Sequence, residues 1–173
     1  MAMPAGKETG ASTASTGKPL LFDLSAIDLS SRAIGRDQIA RMNPHRGQMA
    51  LLDYVVWHLP DYTSGVGLKL NRPEEFWVAG HFPHRPMLPG VVMVEAAAQL
   101  AVYLYNIRFP KPKIAAFTRL ENCSFRNPVS LGDELYLLCK ETKFSARRFA
   151  TLAQGLVNNR LAFECEITGM TID

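Results

Sequence analysis

The pattern of hydrophobic and polar positions is clearest in the last third of the chain, where apolar and polar residues alternate as they do in half-buried β-strands. We predict four strands there, at residues 115–125, 134–142, 148–157 and 160–171, separated by turn-forming pairs such as Gly132-Asp133 and Asn158-Asn159. The last strand alternates most regularly. We expect one face of it to carry Leu161, Phe163, Cys165 and Ile167 and the other face Glu164 and Glu166, so that the sheet has one face in water.

The first half of the chain has weaker signals. Residues 20–34 show no firm period, and residues 37–42 favour a short helix that ends before Pro44. Apolar and β-branched residues predict strands at 50–58 and 62–70, joined as a hairpin at Pro60-Asp61, and a short extended piece at 76–79.

Residues 80–90 contain three prolines at intervals of three, which excludes a regular helix or central strand and predicts a stiff loop. Residues 91–105 then form an apolar stretch interrupted only by Glu95 and Gln99, which predicts a buried helix. A membrane span is the competing interpretation, but the stretch is short and carries a carboxylate. The elements together predict an α+β fold in which a curved antiparallel sheet wraps one long buried helix.

Composition adds limits to this picture. A chain of 173 residues, with 47% hydrophobic and 20% charged residues, fits one soluble domain, and a net charge of +3 gives no reason to expect nucleic-acid binding. Three widely spaced cysteines are typical of thiols in a reducing compartment, so we expect a cytoplasmic protein. Residues 1–18 are rich in Ala, Ser, Thr and Gly and lack the arginines of a transit peptide. We therefore predict a disordered tail at 1–18 and a single domain at 19–173.

Glu95 is the most informative residue for chemistry, because a carboxyl on an otherwise apolar helix costs free energy unless it has a partner or a function. Burial is expected to raise its pKa, which suits a general acid. Gln99 lies one turn further on the same face and is placed to hydrogen-bond and orient the carboxyl. The alternative is a structural glutamate bound to a backbone group or an arginine.

His81 begins the proline-rich loop, where rigid neighbours would hold a general base in place. Simple packing is the alternative for a lone histidine. A zinc site formed with His84 and a carboxylate is a further alternative, but Pro83 hinders convergence of the two imidazoles, and we expect no metal. The P-x-x-P spacing also occurs in ligands of partner domains, although this loop lies between buried elements.

Gly90 stands where the long helix begins. Its backbone N–H is not covered by a side chain, and a helix N-terminus favours developing negative charge, so this position suits an oxyanion site. The alternative is an ordinary loop glycine.

The motif Gly80-His81-Phe82-Pro83-x-Arg85-Pro86-x-x-Pro89-Gly90-Val91-x-x-x-Glu95-Ala96-x-Ala98-Gln99 resembles the signature of the 3-hydroxyacyl-acyl carrier protein dehydratases of type II fatty-acid synthesis. Pro44-His45-Arg46 with Leu51-Leu52-Asp53 resembles that family's early segment, and Phe125-Arg126-x-Pro128-Val129-x-x-Gly132-Asp133-x-Leu135 its later strand pair. The resemblance covers residues 43–170.

The resemblance implies a hotdog fold and a homodimer, or a trimer of such dimers, in which His81 of one subunit meets Glu95 of the other. It implies that His81 removes the proton next to the thioester carbonyl, Glu95 protonates the departing hydroxyl and the Gly90 N–H polarises the carbonyl, with no cofactor. Phe82, Pro89, Gly90 and Gln99 would line the substrate site, beside an apolar acyl tunnel along the helix. Basic side chains near its mouth would bind the acidic carrier protein: Arg46, Arg85, Lys111, Lys113 and Arg126.

The chain departs from the family pattern at Gly47-Gln48-Met49, where bulkier aromatic residues are usual, and at His84, where glycine is common. We expect these differences to bear on chain length and on the carrier. An acyl-thioester hydrolase and a non-catalytic acyl-binding or assembly module on the same fold remain alternatives. The lipid pathway is left open.

Overall fold

The structure is a computed structural model, and it describes residues 17–172. Most of the predicted tail therefore lies outside the described residues. The helices are α1 (Arg36–Met42) and α2 (Gly90–Asn106), with a short 3₁₀ helix at Gly47–Met49. The strands are β1 (Ile34–Gly35), β2 (Tyr54–His58), β3 (Ser64–Leu70), β4 (Ala115–Phe125), β5 (Glu134–Phe144), β6 (Arg148–Val157) and β7 (Arg160–Thr171).

The seven strands form one sheet in the order β1-β2-β3-β5-β6-β7-β4, and every neighbouring pair is antiparallel. The α+β prediction is confirmed, as are the hairpin of β2 and β3 and the bounds of β4, β6 and β7. The first strand of the hairpin is shorter than predicted, because the N–H groups of Leu51 and Leu52 bond to the side chain of Gln99 and not to a neighbouring strand.

Helix α2 packs against the inner face of this sheet. All its residues from 96 to 106 are buried, and its apolar side chains join those of β5, β6 and β7 in the main core. Strand β4 ends the sheet as an edge strand, so one side of its backbone has no neighbouring strand in the described chain. Within residues 17–172, no helix is long and apolar enough to cross a membrane.

The outer face of the sheet is covered in part, so the prediction of one wet face is wrong there. A second apolar cluster contains Val66, Leu68, Leu138 and Leu156, and side chains from residues 20–29 pack over it. The Leu21 N–H donates a hydrogen bond of 3.0 Å to Gln154 Oε1 on β6, which fixes this segment to the sheet. The segment that lacked a clear period thus has a packing role.

Two local predictions are also corrected. Leu161 packs in the outer cluster whereas Phe163 packs in the main core, because the register of β6 and β7 shifts between Gly155 and Leu156. Residues 76–79 form turns rather than an extended piece, and the Val78 N–H donates to the Glu75 carbonyl at 3.1 Å.

Candidate active site

Glu95 lies in the second turn of α2, on the helix face that carries Ala98 and Gln99. Its side chain is 28% exposed, so it reaches the surface of the core rather than its centre. Gln99 Nε2 donates a hydrogen bond of 2.9 Å to Glu95 Oε1. Within residues 17–172, the other carboxylate oxygen holds no hydrogen bond, which leaves it available to a bound molecule.

Gln99 is buried, and several hydrogen bonds hold its side-chain amide in place. Its Oε1 accepts hydrogen bonds from the N–H groups of Leu51 and Leu52, at 2.9 and 3.3 Å, and its Nε2 also donates to the Met49 carbonyl at 2.8 Å. These bonds fix which end of the amide is the donor. The amide therefore presents an N–H, and not an oxygen, to Glu95.

His45 is a residue of the site whose contact with Glu95 was not predicted from the sequence. Its Nε2 lies 3.4 Å from Glu95 Oε1, and its side chain is 25% exposed. Its Nδ1 is buried and has no hydrogen-bond partner among the described residues. The segment Pro44-His45-Arg46 was noticed only as part of the family pattern, because nothing in the spacing of residues 45 and 95 indicates that they meet.

The electrostatics of Glu95 differ from the prediction. Burial raises the pKa of the carboxyl, but the hydrogen bonds from His45 and Gln99 and the charge of His45 lower it by more, so the pKa lies below its ordinary value. The predicted rise in the pKa is therefore wrong in sign for the single chain. The carboxylate form is favoured because two donors face the same oxygen.

We expect replacement of His45 by leucine to raise the pKa of Glu95, because it removes a hydrogen bond and a positive charge that favour the carboxylate. Titration of the ¹³C-labelled Glu95 carboxyl by NMR measures the change as a midpoint at higher pH. His58→Leu is the matched control, since His58 stacks on Tyr62 and does not contact Glu95. An unchanged or lower midpoint in His45→Leu would contradict this assignment.

His81 lies in the loop before α2, and its ring stacks on that of Phe82 with 4.2 Å between centroids. Its Nδ1 is 2.8 Å from the Met87 carbonyl oxygen. A carbonyl only accepts hydrogen bonds, so Nδ1 carries the hydrogen and Nε2 has the free lone pair of a base. Within this chain, His81 does not line the cavity that contains Glu95.

Two other predicted substrate residues lie at the start of α2, and the third, Phe82, lies in the loop before it. Pro89 is the residue before the helix and Gly90 its first residue, where backbone N–H groups have no partner within the helix. A Cβ atom on Gly90 would lie 2.7 Å from the ring of Phe125 on β4, so a side chain at residue 90 would have to displace this ring. Phe82 is half exposed.

A cavity of about 170 Å³ begins at His45 and Glu95. The rest of its wall is apolar and comes from α2, β4, β6 and β7: Ala98, Val102, Ala115, Ala116, Phe117, Phe149, Ile167 and Gly169. A carboxyl at the end of an apolar cavity is a common arrangement in sites that bind an apolar chain next to a reacting group.

A larger cavity of about 430 Å³ lies elsewhere, beside Gly47 and Gln48. Several of its charged side chains form pairs: Lys69 Nζ lies 2.6 Å from Glu75 Oε2, and Arg72 bonds to Asp53 next to the cavity. Because this cavity does not include Glu95, we place the chemistry in the smaller one.

The five predicted docking residues fall into two groups. Arg46 donates to three backbone carbonyls, Arg126 pairs with Glu164, and Lys113 donates to the Ala146 carbonyl at 2.6 Å. Arg85 and Lys111 are exposed and hold no side-chain hydrogen bond or ion pair within residues 17–172. In the same residues, no group of three His, Cys, Asp or Glu side chains is close enough to hold a metal ion.

Comparison with solved structures identifies the architecture. The chain aligns with the dehydratase heterocomplex ApeI:P from Xenorhabdus doucetiae at a TM-score of 0.66 and 12% identity, over 78% of this chain and 91% of that one. It aligns with the TT0310 protein from Thermus thermophilus at a TM-score of 0.54 and 18% identity, over 74% of this chain and 100% of that one. The chain has the hotdog fold, with a carboxyl of its central helix at an apolar cavity.

Sequence comparison gives the family. Residues 63–159 match the model of the ApeI-like family, described as ApeI dehydratase. The 3-hydroxyacyl-[acyl-carrier-protein] dehydratase FabZ of Protochlamydia amoebophila is 34% identical over 142 residues, which are 82% of this chain and 92% of that protein. FabZ of Staphylococcus haemolyticus is 38% identical over 136 residues, 76% of this chain and 91% of that protein. The chain belongs to this dehydratase family, whose members are hydro-lyases.

Proposed function

We propose that the chain removes water from a 3-hydroxyacyl thioester carried by acyl carrier protein and forms the trans-2-enoyl thioester of fatty-acid synthesis. The observation that carries the proposal is Glu95, a carboxyl held through one oxygen by Gln99 at the end of an apolar cavity. Family membership supports the substrate class. We assign the activity to a single domain at 19–173, and a cytoplasmic location stays a prediction from the cysteines.

In the proposed mechanism, Nε2 of His81 takes a proton from carbon 2 of the acyl chain while Glu95 gives a proton to the hydroxyl on carbon 3. The carbon–oxygen bond breaks, a double bond forms between carbons 2 and 3, and water leaves. The Gly90 N–H polarises the thioester carbonyl as negative charge develops on its oxygen. Solvent then takes the proton from His81 and restores that of Glu95.

The lowered pKa of Glu95 is compatible with the role of proton donor. An acyl chain in the cavity displaces water from the carboxyl, and loss of water disfavours the charged form. Substrate binding therefore raises the pKa of Glu95 and favours the acid at the moment when a proton is needed. The bound Oε1 leaves Oε2 as the oxygen that faces the hydroxyl.

We propose that the active unit is a homodimer in which His81 of one subunit serves Glu95 of the other. Strand β4 supports this arrangement, because it is an 11-residue edge strand with exposed apolar side chains at Phe117, Leu120 and Phe125. An edge strand presents unpaired N–H and C=O groups that can pair with a strand of another chain. Phe117 also lines the cavity of Glu95, so a partner on β4 would complete the site. A trimer of such dimers stays a prediction.

We expect Leu120→Glu to convert the dimer into monomers. Leu120 is 44% exposed in the single chain, and the substitution places a charge within the proposed interface. Sedimentation velocity measures the mass of the assembly, and the rate of dehydration should fall when the dimer is lost. Leu59→Lys is the control, since Leu59 is also partly exposed but follows β2. A dimer that survives Leu120→Glu would place the interface elsewhere.

Arg85 and Lys111 are our candidates for contact with the acidic carrier protein, because their charges have no partner within residues 17–172. Charges of this kind increase the rate of encounter with a partner of opposite sign. Arg46, Lys113 and Arg126 already bond to the chain itself, so we assign them a secondary part in docking.

The direct test is incubation with 3-hydroxybutanoyl groups on acyl carrier protein and on coenzyme A. The proposal predicts enoyl thioester, seen by its absorbance, with no release of free thiol and a preference for the carrier-linked substrate. Release of free thiol would instead identify an acyl-thioester hydrolase. Binding without either reaction would indicate a non-catalytic acyl-binding module and would overturn the proposal.

A further inference from the structure

We propose that Phe149 limits the length of the acyl chain by closing the far end of the cavity that begins at Glu95. The inference rests on the proposed function and adds the class of substrate: medium-chain rather than long-chain 3-hydroxyacyl thioesters. Three observations support it: the cavity follows α2, Phe149 packs against Gly169, and a second cavity lies on the other side of the Phe149 ring.

The cavity runs along one face of α2. Glu95, Ala98 and Val102 line it at helical spacing, and these seven residue steps span about 10 Å. The next position on that face is Tyr105, which is 1% exposed and whose ring lies 4.8 Å from that of Phe149. The polar end of the cavity is thus at Glu95, and its far end is at Phe149, whose ring packs on that of Tyr105.

The opposite wall explains why Phe149 reaches into this position. Gly169 on β7 pairs with Phe117 on β4 and with Phe149 on β6, so the three residues form one row across the sheet. A Cβ atom on Gly169 would lie 2.4 Å from Cζ of Phe149. The phenyl ring therefore occupies the space that a side chain at residue 169 would take, and glycine is required for this ring position.

Phe149 also separates this cavity from a second, much smaller one. The smaller cavity lies between α2, β5 and β6, and it too has Phe149 in its wall together with Ala101, Leu104 and Tyr105. Phe149 is 4% exposed. Removal of its ring would extend the first cavity toward the second without moving the backbone.

The size of the cavity sets the expected preference. A span of about 10 Å accepts about six to eight carbons beyond those that react, so chains of about ten carbons fit and much longer ones meet the phenyl ring. A chain that does not fit must leave apolar carbons in water or displace the ring, and either event costs free energy.

The test compares kcat/KM for 3-hydroxybutanoyl, 3-hydroxydecanoyl and 3-hydroxyhexadecanoyl carrier-protein thioesters in the intact protein and in Phe149→Ala. We expect the intact protein to favour the decanoyl over the hexadecanoyl substrate at least tenfold. In Phe149→Ala the hexadecanoyl-to-decanoyl ratio should rise at least fivefold. The use of ratios within one variant removes any loss of folded protein from the comparison.

Two further variants sharpen the result. Phe144→Ala removes a ring that also packs on Tyr105 but does not line the cavity, so its ratios should match those of the intact protein. Ala98→Leu fills the cavity near Glu95 and should lower the decanoyl-to-butanoyl ratio. Equal ratios in the intact protein and Phe149→Ala would overturn the inference while leaving dehydration intact. Absence of dehydration with all three substrates would instead remove the proposed function.

Discussion

Replacement of Glu95 by glutamine is expected to lower kcat for dehydration by about 10³-fold, within the usual range for loss of a general acid. Glutamine keeps the shape of the side chain but has no proton to give to the departing hydroxyl. The hydrogen bond between residues 95 and 99 is 2.9 Å in the native chain, and a glutamine carbonyl can still accept it. The loss should therefore appear in kcat and not in folding.

The matched control for this substitution is Glu74→Gln. Glu74 is exposed and holds no hydrogen bond or ion pair within residues 17–172, so its charge should not matter for the reaction. Thermal unfolding of both variants checks that the fold is retained. If Glu95→Gln kept more than a tenth of the native rate, Glu95 would not be the proton donor.

Replacement of His81 by asparagine is expected to lower kcat by a similar factor of about 10²–10⁴, because the lone pair that accepts the proton from carbon 2 is lost. Asparagine can still donate to the Met87 carbonyl, which His81 Nδ1 approaches to 2.8 Å, so the loop should keep its conformation. The exchange of deuterium from solvent into carbon 2 of the substrate measures this step separately.

His84→Asn provides the comparison for His81, since His84 lies in the same loop and is exposed. We expect its rate to stay within about twofold of native, as is usual for surface substitutions away from a site. Normal exchange at carbon 2 in the His81 variant would show that another group is the base.

Much of the fold follows from local pattern. The strands of the second half alternate regularly, and α2 combines an apolar sequence with a proline before its first residue, so their bounds were predicted closely. Tertiary packing decided the rest. The segment at residues 20–29 has no period of its own because it follows the outer face of a sheet, and Leu161 changed faces because of a bulge in the β6–β7 pairing.

In the candidate active site, too, local pattern predicts some residues and only the folded structure brings in the others. Glu95 and Gln99 were found because polar residues on an apolar helix stand out, and their hydrogen bond follows from the helical repeat. His45 was missed because its contact with Glu95 joins residues fifty positions apart. The sign of the pKa shift of Glu95 was missed for the same reason, since burial can be inferred from sequence but the donors that outweigh it cannot.

The central claim, that a base from one subunit meets an acid from the other, is tested most directly by mixing the two inactive variants. His81→Asn and Glu95→Gln, dissociated and reassociated in equal amounts, form mixed dimers as half of the population. Each mixed dimer contains one intact site of two, so about a quarter of the native activity should return. If the mixture stays as inactive as its components while mixed dimers are seen by mass spectrometry, the two residues do not act across the interface.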